Sequence, residues 1–143
     1  MKTKVQHVFY VDDDVDDLDF VQSVFHQSRP EIKVTVVKES TRAIDELKTL
    51  PFPDVILMDL NMPLMNGIDC VSAIRKLTQY EKVPIIMYST SEHKPLVDKC
   101  YEAGANYFVK KPTSIAGLSK VVNAISEGEY AQNVSLHSLK KSF

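Results

Sequence analysis

Short uninterrupted apolar runs alternate with amphipathic stretches along most of this chain. Val8-Phe9-Tyr10-Val11, Val55-Ile56-Leu57-Met58, Ile85-Ile86-Met87-Tyr88 and Tyr107-Phe108-Val109 are each closed by charged or hydroxyl residues. Runs of this length without polar alternation read as strands covered on both faces, the pattern of a parallel sheet. Residues 32–37 alternate apolar with polar instead, which predicts a strand with one less buried face at a sheet edge. Strands are therefore expected over residues 7–11, 32–37, 54–58, 85–88 and 106–110.

The intervening stretches carry helical spacing. Leu18, Val21, Val24 and Phe25 mark a helix over residues 16–27, with Pro30 beyond its end. A second helix is expected to be capped by Ser40 or Thr41, to carry Ala43, Ile44 and Leu47 on one side, and to stop at Pro51 and Pro53. Ile68, Val71, Ile74 and Leu77 define a third, after a loop containing Pro63 and ending at Gly67. A fourth has Pro95 near its start and Gly104 past its end; a last one begins at a Thr113 or Ser114 cap and carries Ile115, Leu118, Val121, Val122 and Ile125. Five βα units of this kind predict an α/β fold around a mainly parallel sheet. From Gly128 onward the pattern fades, so residues 4–126 are expected to form one domain and residues 127–143 a tail. A frayed end is the simplest reading of that tail, with a partner or homodimer contact as the alternative.

Composition narrows the function classes. The 143 residues are 44% hydrophobic and 25% charged, with a formal net charge of -2, an ordinary globular balance that offers no bulk attraction to nucleic acid or anionic membrane. No apolar run approaches the ~18 residues of a membrane span, and the polar first residues lack a signal-peptide core. Cys70 and Cys100 are too few for a disulfide framework and read as buried residues of a reducing compartment. A cytoplasmic protein without direct DNA binding is expected.

The candidate chemistry stands at the ends of the apolar runs. In parallel sheets ligands bind at the carboxyl ends of strands. There the chain places Asp12-Asp13, Asp59, Ser89 and Lys110-Lys111-Pro112. A hard divalent cation takes carboxylate oxygens, and successive acids can both face it where a strand ends and the backbone turns. Asp14, Asp16 and Asp17 read instead as a solvated acidic helix start that complements the helix dipole. The alternating Asp12, Asp14 and Asp16 do not make an EF-hand loop, because Asp17 and Ser23 stand where Gly and Glu are needed. Asp59 is followed by a loop rather than a helix start, which leaves its carboxylate available as a nucleophile toward a phosphoryl donor. Lys111, held extended by Pro112, can reach back over the sheet end, whereas Lys110 is expected in solvent. Phosphoryl chemistry at a metal site is the leading reading.

Val11-Asp12-Asp13, Met58-Asp59-Leu60-Asn61-Met62-Pro63 with Gly67, Met87-Tyr88-Ser89-Thr90, and Gly104-Ala105 with Phe108-Val109-Lys110-Lys111-Pro112 occur in an order that resembles response-regulator receiver domains. The resemblance covers roughly residues 4–126. It implies a flavodoxin-like, doubly wound (βα)5 three-layer sandwich with a five-stranded parallel sheet of order 2-1-3-4-5. It also implies that Asp59 accepts phosphate from a phosphohistidine, with Mg²⁺ (or Mn²⁺ in its place) held by Asp13, Asp59 and the backbone carbonyl of Asn61, and Asp12 acting through water. Ser89 and Lys111 would contact the phosphoryl oxygens. Ser89 and Phe108 would form the switch, Phe here lacking the hydroxyl of a Tyr. Asn61 and Ser91 stand where the family tunes phosphate lifetime, and a cis Lys111–Pro112 bond is expected.

The implied protein is a single-domain response regulator of two-component signalling, a phosphoacceptor rather than an enzyme. Its donor would be a sensor histidine kinase or histidine phosphotransfer protein. Its output would be an unknown downstream protein or onward phosphorelay, since the tail is too short for a DNA-binding module. Two other readings stay open: an aspartyl-phosphate phosphatase of haloacid dehalogenase type using Asp12, and a receiver-like binding module that is never phosphorylated.

Overall fold

The computed structural model describes residues 4–49, 51–128 and 136–138. Its elements run β1 (His7–Val11), α1 (Val15–Ser28), β2 (Lys33–Val37), α2 (Ala43–Thr49), β3 (Val55–Asp59), α3 (Gly67–Arg75), β4 (Ile85–Ser89), α4 (Lys94–Ala103), β5 (Tyr107–Lys110), α5 (Ile115–Glu127) and β6 (Leu136–Ser138). The sheet order is β2-β1-β3-β4-β5-β6, and the first five strands are mutually parallel, as expected.

The apolar runs behave as their lack of alternation predicts. Every residue of β1, β3 and β4 is buried, because helices cover both faces. Val8, Tyr10, Leu57, Ile86, Tyr88 and Val109 face α1 and α5, where they meet Leu18, Val21, Phe25, Leu118, Val122 and Ile125. The alternate residues Phe9, Val11, Ile56, Met58, Met87 and Phe108 pack on the other face with Ala43, Leu47, Cys70, Val71, Ile74 and Cys100. Each fully buried Val, Leu, Ile, Phe or Met among them stabilises the fold by about 1.5–3 kcal/mol relative to exposure, so two full layers hold the sheet rigid beneath its loops. β2 is only partly buried and forms the expected edge.

At the opposite edge the structure departs from expectation. Residues 136–138 form β6, antiparallel to β5 with Phe108 in register with His137, where a frayed tail was anticipated. Three residues are too short a segment to carry a strand pattern; a free strand edge supplies the pairing. The rest of the tail, residues 129–135 and 139–143, lies outside the described residues.

Caps explain several element boundaries. Asp14 accepts from the Asp17 amide at 3.1 Å, so α1 starts at Val15 with Asp14 as its cap. Ser114 caps α5 by accepting from Gly117, as predicted. Asn66 does the same for α3 through Asp69, a cap that the Pro63-Gly67 loop reading left unassigned. Ser40 is not a cap: it opens a single 3₁₀ turn over Ser40–Arg42, and its hydroxyl donates 2.5 Å to the Met65 carbonyl in the β3–α3 loop.

Candidate functional site

Strand register brings the charged residues to one edge. Val11 pairs with Met58, Asp59 with Tyr88 and Ser89 with Lys110, so β1, β3, β4 and β5 all end together. Asp12 is the first residue beyond β1, and its amide still donates to Val37 at 3.1 Å. The chain then turns into α1, which releases Asp12 and Asp13 from the alternating directions of a strand. Carboxylate oxygens of Asp12, Asp13 and Asp59 lie within 4.8 Å of one another. Asp13 is exposed at the rim, while Asp12 and Asp59 are buried.

Asp12 is fully tied down. Its Oδ1 accepts from the Asp14 amide at 3.0 Å and its Oδ2 from the Tyr10 hydroxyl at 2.6 Å. Tyr10, two residues earlier on the same face of β1, also meets Tyr88 edge to face, with ring centroids 5.9 Å apart. Asp59 ends β3 beneath a loop that only glycine can close: a Cβ on Gly67 would lie 2.2 Å from the Asp59 carbonyl oxygen. The same loop turns tightly at Leu64 (φ 68°), around which the Met65 amide donates to the Pro63 carbonyl at 2.7 Å.

Lys111 closes the cluster from β5. Its amide donates to Ser89 at 2.7 Å, continuing the strand pairing past Lys110. Its ammonium lies 2.6 Å from Asp17, 3.1 Å from Asp59 and 3.2 Å from Asp12, and 5.4 Å from the centre of the Tyr88 ring. Lys110 points to solvent, 3.8 Å from Glu92. The open cavity above has a volume of about 470 Å³ and is lined by Asp13, Asp14, Asp17, Asp59, Asn61, Thr90 and Lys111.

Electrostatics follow from three carboxylates sharing one ammonium, with Asp13 beside them. Burial, reinforced by the neighbouring Asp12 charge, pushes the Asp59 carboxyl up to about 7 against the opposing pull of Lys111. Burial works against the charge on Lys111, but the hydrogen bond to Asp17 and the charges of Asp12 and Asp59 outweigh it and raise its pKa. Burial and Asp12 likewise hold the Tyr10 hydroxyl protonated, so it can act only as a donor toward that carboxylate. An all-oxygen donor set with excess negative charge is typical of a divalent-metal site.

The sequence-predicted residues mostly meet. Asp12, Asp13, Asp59 and Lys111 converge, and Asn61 lines the same cavity. Ser89 ends β4 but is buried, its Oγ accepting from the Ser91 amide at 3.1 Å, and Thr90 rather than Ser89 lines the cavity. Phe108 is fully buried in the layer under α3 and α4. Two expectations are corrected. The Lys111–Pro112 bond is trans, since there is no cis peptide bond among the described residues. Asp17 is more than a solvated helix-start acid, because it makes the shortest contact to Lys111. Tyr10 was also missed, and its signal was a hydroxyl-bearing side chain two residues before Asp12, on one strand face with it.

Comparison with known proteins agrees with this geometry. Residues 8–123 match the response regulator receiver domain model. The two-component response regulator ARR6 of Arabidopsis thaliana is 30% identical over 133 residues, covering 86% of this chain and 70% of that protein. ARR5 of the same plant is 29% identical over 137 residues, covering 88% and 73%. Among solved structures, chemotaxis response regulator CheY4 of Vibrio cholerae superposes with a TM-score of 0.73 at 27% identity, covering 84% of this chain and 98% of that one. The cyanobacterial phytochrome response regulator RcpA shares the fold, with a TM-score of 0.78 at 23% identity over 92% of this chain and 97% of that one. The acids at the ends of β1 and β3, the lysine after β5 and the sheet order that joins them thus have one shared source: this chain belongs to the response regulator receiver domain family of two-component signalling, whose members are phosphoacceptors.

Proposed function

We propose that Asp59 is the phosphoacceptor and that its phosphorylation switches protein–protein contacts or passes the phosphate onward. The observation that carries this is the Lys111 ammonium, 3.1 Å from Asp59 and 3.2 Å from Asp12, in a cavity open to solvent. Membership of a two-component family implies a histidine kinase or phosphotransfer partner. The donor would therefore be a phosphohistidine. An Asp59 oxygen forms the new O–P bond as the N–P bond breaks, and the freed imidazole takes a proton from solvent. Lys111 faces the phosphoryl oxygens, where charge accumulates in the transition state.

Asp12, Asp13 and Asp59, with the backbone carbonyl of Asn61, would hold Mg²⁺ or Mn²⁺. Such an ion, when bound, neutralises the carboxylates and polarises the phosphoryl group. The donor chemistry fits, being wholly oxygen and hard. Asp12 is ill suited to be a nucleophile, since both its oxygens accept hydrogen bonds and it is buried. That disfavours the phosphatase reading.

Ser89 and Phe108 would carry the switch. Movement of the Ser89 hydroxyl from the Ser91 amide toward a phosphoryl oxygen would reshape the β4–α4 loop and the packing around Phe108, the local event behind a population shift. Residues 4–126 would be the receiver unit and 127–143 a tail; the end of α5 at Glu127 supports this. No described helix is long and apolar enough to cross a membrane. Two buried free thiols, Cys70 and Cys100, suit a cytoplasmic setting. Output to a downstream protein or a second copy, rather than to DNA, follows from the even charge balance.

The test is incubation with Mg²⁺ and beryllofluoride or acetyl phosphate, read by fluorine NMR and by intact mass with peptide mapping. One adduct at Asp59, abolished in Asp59→Asn and by chelation, is expected. No adduct in the native protein, or modification at Asp12, would overturn the assignment.

A further inference from the structure

Resting on the phosphoacceptor reading above, we propose that Asp17 is a positioning residue that holds Lys111 in the resting protein and must release it when the phosphoryl group arrives. An ammonium has three N–H donors. In this structure three carboxylates surround it, Asp17 at 2.6 Å, Asp59 at 3.1 Å and Asp12 at 3.2 Å. A phosphoryl oxygen entering on Asp59 therefore gains a donor only by displacing one of these partners.

The three are not equally displaceable. Asp12 is fully buried and already fixed by Tyr10 and by the Asp14 amide, so it has no solvent to turn to. Asp59 is nearly as buried and is itself the group being modified. Asp17 lies on α1 at the cavity wall with 31% of its side chain exposed, where water can take the place of Lys111. It makes the shortest contact of the three, and it is the one whose loss costs least desolvation. Asp17 thus acts as a brake. The strength of its hold on Lys111 sets how readily the resting site accepts a phosphoryl group, without Asp17 itself touching that group.

Replacing Asp17 removes a competitor. Asp17→Asn keeps the side-chain size and lies beyond the Asp14 cap, which uses only its backbone amide. Titrating the full chain with beryllofluoride at saturating Mg²⁺, read by fluorine NMR, is expected to give half-saturation at a concentration about two- to fivefold lower than in the native protein, the range set by a partly exposed ion pair. Asp17→Glu, which can regain Lys111, should return most of the way. Asp16→Asn removes the same charge one residue away, from an exposed position, and should shift the titration far less. Thermal unfolding confirms that each variant is folded, and Asp17→Ser replaces the asparagine variant if that one is not. Equal or weaker binding by Asp17→Asn, or an equal gain in Asp16→Asn, overturns the proposal. If the native protein forms no adduct, the phosphoacceptor reading fails first; an adduct that Asp17→Asn leaves unchanged fails the brake alone.

Discussion

The two ends of the sheet use charge in opposite ways. At the amino ends of the strands, polar groups are matched with the main chain. Asp54 Oδ2 accepts from the Gln6 and His7 amides at 2.8 and 2.9 Å. Arg75 donates to the Gly104 and Tyr80 carbonyls at 3.0 and 2.7 Å and to Asn106 Oδ1 at 2.8 Å, and that same oxygen accepts from the Ile85 amide. At the carboxyl ends, Asp12, Asp17 and Asp59 share Lys111, with Asp13 beside them. Side chains that satisfy backbone donors and acceptors fasten loops to strands. Carboxylates crowded against one another do the reverse, keeping an excess of negative charge that a bound cation relieves. One end fixes the scaffold, and the other trades stability for chemistry.

The largest test of this contrast is Asp59→Asn in chelated protein. The folded carboxyl titrates at about 7, against ~3.9 in an unfolded chain. Between those values the folded protein keeps a proton that the unfolded chain has released. Stability therefore falls as pH rises from about 4 to about 7, and the penalty is complete above 7. Asparagine cannot ionise, so the variant should be more stable than the native protein at pH 8 by about 2–3 kcal/mol, after allowing for a weakened contact to Lys111. The difference should close near pH 4. Urea unfolding at both pH values measures it, and an offset independent of pH would contradict the account.

Arg75→Ala is the converse at the other end. It strands the carbonyls of Gly104 and Tyr80 and half of the Asn106 contact, at a cost of about 2 kcal/mol by urea unfolding. Beryllofluoride and Mg²⁺ binding at 25 °C should not move. A loss of binding while the protein remains folded would mean that the two ends are coupled.

What the sequence disclosed follows the same division. Four of the strands were legible because helices on both sides demand unbroken apolar runs, β2 was legible from the alternation of an edge strand, and the acids at the ends of β1 and β3 stand out where the runs stop. The 2-1-3-4-5 order came from family resemblance rather than from periodicity. Contacts between distant residues were opaque. Lys111 lies 94 positions from Asp17, and no local pattern announces that pairing. The Ser40 hydroxyl serves Met65, 25 positions away, although its surroundings read as a helix cap. β6 is too short for a periodic signal and exists as an element only through the edge of β5. The Lys111–Pro112 isomer was misjudged because cis and trans prolyl bonds differ by only ~0.5–1 kcal/mol, which tertiary context outweighs.

The smallest prediction places the contrast on two tyrosines. Tyr10 and Tyr80 are both buried, and each hydroxyl makes one short hydrogen bond: Tyr10 to Asp12 at 2.6 Å near the acidic cavity, Tyr80 to the Leu47 carbonyl at 2.7 Å near the amino ends. Phenylalanine keeps each ring in place, edge to face with Tyr88 in one case and stacked on Phe52 in the other. Each substitution should lower stability by about 1–1.5 kcal/mol, since each leaves one buried acceptor short of a donor. Their effects on metal binding should part. The Tyr10 hydroxyl draws charge density from Asp12, so Tyr10→Phe leaves a more negative carboxylate, still oriented by the Asp14 amide and Lys111. Mg²⁺ should then bind about two- to threefold more tightly by calorimetric titration, the consequence of losing a fraction of one charge-assisted hydrogen bond. Tyr80→Phe should leave that affinity where it was. If both variants bind Mg²⁺ alike, the hydroxyl beneath Asp12 is part of the scaffold, and the boundary between the two ends lies nearer the cavity than the Tyr10–Tyr88 pair.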